Sequence, residues 1–331
     1  MDRPRLTIVI PTLNRSALVG RAVDSALAQT FPDLEILVSD NGSTDDTPRV
    51  LARYQNAPRV RLLRRDITIP ATDHGTLLVD ESRGELFLGL SDDDWLEPDF
   101  AAKVVALYDK HPDVAFVWTG CVMHYGGAAM PALVGPEIES GTAFLSAFLA
   151  GQRNPCWCAC VTRTEDLRRI GPIPSDVICG DMFYWTKIAA RGDVGCIGEA
   201  LSHYVVYRDA SDSHAGGSSV LAWAADTRRW VNDIVATIAA KSGGFAPRDV
   251  QRDAKTFLAR STANQFIWQA LRGRRRASLL RSLGEARPFL RGAGLTAWMR
   301  VLAALAAPRW LLRGSMMAAA RRRGQEAQAR A

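Results

Sequence analysis

Along the first 120 residues, short apolar runs alternate with stretches whose apolar positions recur every three or four residues. Leu6–Ile10, Glu35–Val38, Arg59–Leu63, Leu86–Leu90 and Val114–Trp118 read as strands. Ser16–Ala28, Asp46–Gln55, Thr72–Glu81 and Pro98–Asp109 read as helices, with Ser16 as the expected cap of the first and Thr44–Thr47 supplying caps for the second. Strand–helix alternation predicts an α/β fold with a mostly parallel sheet flanked by helices. On such sheets ligands bind outside the carboxyl ends of the strands.

From residue 121 the pattern is mixed. Strands are expected at Cys121–Tyr125, Cys156–Thr162, Val194–Ile197 and Ser202–Tyr207, and helices at Thr142–Ala150, Thr164–Ile170 and Asp181–Ala190. The polar, glycine-bearing stretch 209–219 reads as a lid or hinge. Beyond it the periodicity is helical: Trp223, Trp230, Ile234 and Ile238 share one face, and Val250, Ala254, Phe257 and Leu258 another. The expected organisation is a catalytic domain over 1–215, in halves of about 1–120 and 121–215, followed by a helical C-terminal extension over 216–331.

Charge sharpens that division. The net charge of +6 conceals 21 Lys/Arg against 6 Asp/Glu in residues 216–331, and 20 against 29 in the rest. No apolar leader precedes the first strand, and six cysteines are too few for a disulfide scaffold, so the expected compartment is the cytoplasm. Cys156, Cys158 and Cys160 would share one face of a strand; they read as buried small apolar residues rather than a metal knuckle.

Chemistry concentrates at the expected strand ends. Asp92-Asp93-Asp94-Trp95 ends the fourth strand, and three adjacent like charges call for a cation. Hard oxygen donors beside phosphate suit Mg²⁺ or Mn²⁺. The alternative is a solvated acidic cap on the following helix. Pro11-Thr12-Leu13-Asn14-Arg15 ends the first strand, and Asp40-Asn41-Gly42-Ser43-Thr44-Asp45 ends the second. Asp40 is suited to accept the imide N–H of a uracil-type base, or else forms a simple Asx-turn.

These three motifs, in this order, resemble those of the family 2 glycosyltransferases, and the resemblance covers about residues 5–207. It implies the GT-A (Rossmann-like) fold and an enzyme of bacterial type that transfers a sugar, hexosyl or N-acetylhexosaminyl, with inversion. The donor it implies is a nucleoside-diphosphate sugar, UDP-sugar favoured. It places Pro11, Thr12, Asn14, Arg15, Asp40, Asn41, Asp92 and Asp93 on the nucleotide-sugar, and Asp94 and Asp92 on the metal. One departure is Asn41, where a second carboxylate often stands. The family's Glu-Asp base motif corresponds to Gly180-Asp181, so Asp181 becomes the expected catalytic base, with a plain helix N-cap as its alternative. The family's R-x-H element is missing; His203, Arg208 and His214 are the candidates to replace it. Trp95, Trp157 and Trp185 offer either stacking faces for sugar or core packing.

The basic tail holds an amphipathic segment, Leu295–Leu305, interrupted by Arg300 and Pro308 before it could span a bilayer. Contact with an anionic membrane surface, docking of an acidic carrier protein, and packing on the catalytic domain all fit it. Nucleic acid is excluded as a partner, because no recognition motif accompanies the charge. The expected acceptor is a hydroxyl on a lipid-linked glycan, a small metabolite or a carrier protein. Two rival functions stand beside the enzyme: a sugar-nucleotide-binding scaffold of the same fold, and a sugar-1-phosphate nucleotidyltransferase, whose glycine-rich first loop Pro11–Arg15 lacks.

Overall fold

The structure is a computed structural model that describes residues 3–125, 128–206, 219–291, 294–308 and 311–312. Arg208, His214, most of the expected lid and the last arginines lie outside the described residues.

The chain runs β1 (Leu6–Thr12), α1 (Val19–Leu27), β2 (Leu34–Asp40), α2 (Thr47–Leu51), β3 (Val60–Arg64), α3 (Ala71–Glu81), β4 (Leu86–Gly89), β5 (Trp95–Leu96) and α4 (Phe100–Lys110). It continues through β6 (Phe116–Tyr125), β7 (Ala128–Pro131), β8 (Ile138–Ser140), α5 (Gly141–Leu149), β9 (Cys160–Arg163), α6 (Thr164–Ile170), α7 (Gly180–Ala189) and β10 (Asp193–Val206). Among the described residues the helices α8 (Val220–Lys241), α9 (Arg248–Leu271), α10 (Arg276–Ala286) and α11 (Leu295–Ala306) follow.

Among the described residues one sheet holds every strand, in the order β3-β2-β1-β4-β9-β6-β10-β5, with β7 beside β6 and β8 beside β10. The half built from β3, β2, β1 and β4 is parallel, as expected. The second half is mixed, because β9 runs antiparallel to both β4 and β6. The expected strands 194–197 and 202–207 join into β10, which pairs with β6 through irregularities between Ile197 and Ser202.

The central strands bury both faces. On β1, Leu6, Ile8 and Ile10 pack with α1 and α4, while Val9 faces the other side with Leu37 and Leu78. Helix α1 buries Val19, Ala22, Val23 and Ala26, the stripe its spacing predicted. It starts three residues later than expected, and Ser16 does not cap it: the Ser16 N–H donates to Asp45 instead. The expected strand through the cysteines is a 3₁₀ turn, Trp157–Ala159, leading into β9. The turn splits the cysteines between cores, Cys156 and Cys158 on one side of the sheet and Cys160 on the other. All three are buried free thiols.

Gly89 permits this turn to sit where it does. A Cβ there would lie 2.5 Å from Cε2 of Trp157, so the indole lies flat on β4 only because the strand has no side chain at that point.

The helical region shares a core with the sheet. Trp230, Ile234 and Ile238 of α8 and Val250 and Ala254 of α9 join the cluster that contains Phe116, Phe144 and Trp185. Phe148 of α5 meets Trp185, Trp230 and Phe257 at ring separations of 4.9, 6.0 and 5.0 Å. Helices α10 and α11 pack on α9 in a separate cluster. Helix α11 turns Ala297, Val301 and Ala304 inward and leaves Leu295, Met299 and Leu302 exposed. Among the described residues, no helix is long and apolar enough to cross a membrane.

Replacing Gly89 by Ala forces a methyl group against the Trp157 indole. It is expected to destabilise the fold by about 1–3 kcal/mol in urea denaturation, with a changed near-ultraviolet signal from the displaced indole.

Candidate active site

Three strand ends build the first part of the site. The β1–β2 register sets Thr12 opposite Asp40, and β1 pairs with β4 on its other side. The Thr12 hydroxyl donates to Asp92 Oδ2 at 2.6 Å. The Asn41 N–H donates to the Thr12 carbonyl at 2.9 Å, so the loops after β1 and β2 are joined at their roots.

The turn after β2 is bound from both sides. Asp40 Oδ1 accepts from the Ser43 N–H at 2.9 Å, while its Oδ2 is buried with no hydrogen bond and has Arg64 Nε 3.8 Å away. Gly42 takes φ +82°, and a Cβ there would meet the backbone of Ile67 and Thr68 within 3 Å. Asn14 also adopts the left-handed region, at φ 54°, and its Oδ1 accepts from the Thr44 N–H at 2.8 Å. The Arg15 N–H donates to Thr47 Oγ1. Asn14 therefore holds the second loop against the first, and this is the role the structure shows for its side chain. Asn41 departs from its expected part: its amide donates to the Ile69 carbonyl and accepts from the Ile69 N–H, so both ends fasten the segment after β3.

The acidic triplet divides into three different environments. Burial drives the Asp92 carboxyl up to about 6, and the Asp93 charge adds to the rise. The Thr12 hydroxyl, the Arg15 charge and the Leu13 N–H oppose it. Asp93 is partly exposed, and its carbonyl accepts from Arg21. Asp94 is 0% exposed and turned inward, where Oδ1 accepts from the Val205 N–H at 2.8 Å and Oδ2 has no hydrogen bond. Burial, reinforced by Asp93, pushes its carboxyl well above the ordinary range. Asp94, which the resemblance placed on a metal ion, is thus buried against β10 in this structure. Among the described residues, no group of three or more His, Cys, Asp or Glu is arranged to hold a metal ion.

Asp181 begins α7 at the other side of the cleft. It lines a cavity of about 580 Å³ that also touches Pro11 of β1 and Ser91 beyond β4. Burial raises its carboxyl, opposed by the Met182 N–H and its own N–H and supported by Asp226. Cys179 occupies the N-cap position of the helix, and its side chain makes no capping hydrogen bond. Tyr204 of β10 sits within electrostatic reach of both Asp94 and Asp181, and burial first, then these two charges, holds its hydroxyl well above its usual range.

Several residues of the site escaped the sequence reading. Asp226 of α8 is 3% exposed and accepts from the N–H groups of Ile178 and Cys179, at 3.2 and 3.1 Å, which fixes the approach to Asp181. His74 of α3 meets Ser39 Oγ at 2.8 Å; burial lowers it to about 4, Arg65 adds to the fall and Asp40 opposes it, so it is neutral at pH 7. Long-range pairing made these contacts, and no local motif marks them.

The substitutes for the missing motif fare differently. His203 has Nε2 2.8 Å from Glu97 and Nδ1 3.0 Å from His124, and its ring stacks on Trp95 at 4.5 Å. Both ring nitrogens are engaged, which removes it as a diphosphate ligand. Arg21 also packs over the Trp95 ring, 3.9 Å from its centre. Trp185 is core, 2% exposed, and Trp157 lines the cavity.

Residues 7–133 match the glycosyl transferase family 2 pattern. The chondroitin synthase of Escherichia coli is 39% identical over 118 residues, 35% of this chain and 17% of that protein. The chain therefore spans under a fifth of that relative's length. Among solved structures, S. aureus TarS 1–349 in complex with UDP-GlcNAc superposes with a TM-score of 0.56 at 14% identity, covering 91% of this chain and 89% of that one. The mannosyltransferase PcManGT of Pyrobaculum calidifontis, in complex with GDP-Man and Mn²⁺, gives 0.55 at 22% identity, covering 92% and 86%. The likeness establishes the fold, a mixed sheet of GT-A type with a helical C-terminal region.

Two outcomes follow from these environments. A carboxyl raised from 3.8 to about 6 favours the fold below pH 4, and that contribution of about 3 kcal/mol is lost as pH climbs through 6. Asp92→Asn should therefore melt close to the parent at pH 4 and a few degrees above it at pH 8, by differential scanning calorimetry. Asp226→Ala leaves two N–H groups without their acceptor and should cost about 2–4 kcal/mol in chemical denaturation; Asp226→Asn, which keeps one acceptor oxygen, should lose less.

Proposed function

We propose that this chain, a member of glycosyl transferase family 2, moves a glycosyl group from a nucleoside-diphosphate sugar to a hydroxyl acceptor in one inverting displacement, with Asp181 as the base. The observation that carries the reading is the single cavity that joins Pro11 and Ser91, at the ends of the donor strands, to the carboxyl of Asp181. A base must stand apart from the donor strands, on the side from which the acceptor approaches, and Asp181 has that position.

Each group on the donor side has a task. Asp40 has one oxygen engaged by Ser43 and one without a hydrogen bond. One such oxygen matches the lone imide N–H of uracil, whereas guanine presents two adjacent donors, so the reading favours a UDP-sugar. Thr12 and Asp92, linked to each other, stand where the ribose and sugar would pass, with Pro11 beneath. Arg15, whose charge reaches Asp92, and the partly exposed Asp93 flank the diphosphate position. Hard carboxylate oxygens fit Mg²⁺ or Mn²⁺, and Asp92 and Asp93 would hold it, while Asp94 braces β10 from behind. When bound, such a cation supplies charge that stabilises the departing nucleoside diphosphate.

Burial keeps Asp181 more basic than a solvated carboxylate, which strengthens it as a proton acceptor from the attacking hydroxyl. The deprotonated form is the active one, so the acid limb of the rate profile should lie above the ordinary aspartate range. The acceptor hydroxyl belongs to a lipid-linked glycan, a small metabolite or a carrier-bound group. The exposed Leu295, Met299 and Leu302 of α11 support contact with the cytoplasmic membrane surface.

The test is a panel of nucleotide-sugars with Mg²⁺ or Mn²⁺, followed by thermal shift and by product analysis. Nucleoside diphosphate should be released, and chelation with EDTA should abolish donor stabilisation. Release of pyrophosphate would instead identify a nucleotidyltransferase, and donor binding without any release a scaffold. Asp181→Asn should lower turnover at least 1,000-fold, at the upper end of what general-base catalysis contributes, roughly 10²–10⁴-fold, while donor binding is kept. Unchanged turnover rejects Asp181 as the base.

A further inference from the structure

The cavity at Asp181 has a character that the transfer reaction alone does not require. Its walls are largely apolar and aromatic: Trp157 lies on β4, Ile173 precedes α7, Tyr184 belongs to α7, and Trp223 and Phe257 come from α8 and α9. Among its described lining residues Asp181 is the only carboxylate, and no Lys or Arg is present. The Ser261 hydroxyl oxygen accepts from Trp223 Nε1 at 2.9 Å, which leaves few uncommitted polar atoms in the wall.

Such a lining cannot satisfy a diphosphate, nor a sugar whose several hydroxyls would lose their water without gaining partners. It is matched to a group that gains by leaving water. The volume of about 580 Å³ is several times the roughly 150 Å³ that holds one benzene ring in a protein core.

Two helical glycines make the space. Gly75 of α3 and Gly180 of α7 both face Ile173, and Cβ atoms added to them would lie 3.7 and 3.0 Å from its Cδ1. Ile173 is held over α3 by its N–H, which donates to Thr76 Oγ1 at 3.2 Å. A side chain at 75 or 180 would therefore project where the cavity is now open.

We infer that the cavity seats the apolar aglycone, aryl or alkyl, of an acceptor glycoside whose sugar, at the open side of the cavity, presents the acceptor hydroxyl to Asp181. The inference rests on the transfer reading above and names the acceptor class for the same site. Each methylene that enters should tighten binding about four-fold.

The test uses the full chain and three probes: methyl, phenyl and octyl β-D-glucoside, titrated by calorimetry with and without UDP-sugar. Phenyl or octyl glucoside should bind at least ten-fold more tightly than methyl glucoside. A preference for phenyl identifies an aryl group, and a preference for octyl an alkyl chain. Gly75→Leu should erase that advantage by filling the space, while leaving UDP-sugar stabilisation unchanged. The substitution replaces a helical glycine by a better helix former, which favours folding. Gly75→Ala, whose methyl makes only ordinary contact with Ile173, provides a milder variant with a smaller loss. Equal binding of the three glucosides, or an advantage unaffected by both variants, overturns the inference. Failure of every nucleotide-sugar to bind would overturn the transfer reading separately, since glucoside binding is read without donor as well.

Discussion

The site depends on the register of β1 between its two parallel neighbours. Thr12 stands opposite Asp40 of β2, and its hydroxyl reaches Asp92 beyond β4. A slip of one residue would exchange the faces of every side chain on β1, carrying Ile8 and Ile10 out of their core and Thr12 away from Asp92. The apolar packing of the strand on both faces therefore fixes the polar geometry at its tip. Burial there makes an ionised Asp92 costly, and the fold accepts that cost where three loops converge.

Adjacent carboxylates serve different ends because the backbone turns them apart. Asp92 closes against Thr12, Asp93 is partly exposed, and Asp94 enters the interior to receive the Val205 N–H. The last contact ties the loop after β4 to β10, the long strand that also carries Tyr204 toward Asp181. Asp94, a metal ligand by resemblance, also links the two halves of the sheet through this hydrogen bond.

The C-terminal helices complete the site rather than hang from it. Asp226 of α8 holds the N–H groups of the loop that leads into α7, and Trp223 and Phe257 wall the cavity in front of Asp181. Their aromatic contacts with Phe148 and Trp230 seat them on the same core as the sheet. Asp181 and the walls of its cavity are consequently drawn from segments distant in the chain, Trp223 and Phe257 following it by 42 and 76 residues.

Sequence by itself determined the parallel half of the sheet, the strand ends and the motifs upon them. Period and punctuation are local properties, and Pro11–Arg15, Asp40–Asp45 and Asp92–Asp94 sit directly at them. It determined the helical character of the C-terminal region for the same reason. Only the tertiary structure decided the reversal of β9, the 3₁₀ turn that separates the cysteines, the inward turn of Asp94, the engagement of His203 by Glu97 and His124, and the role of Asp226. Each of these is a hydrogen bond or packing contact between residues distant in the chain. No periodicity encodes such contacts, because their partners are chosen by which strands become neighbours.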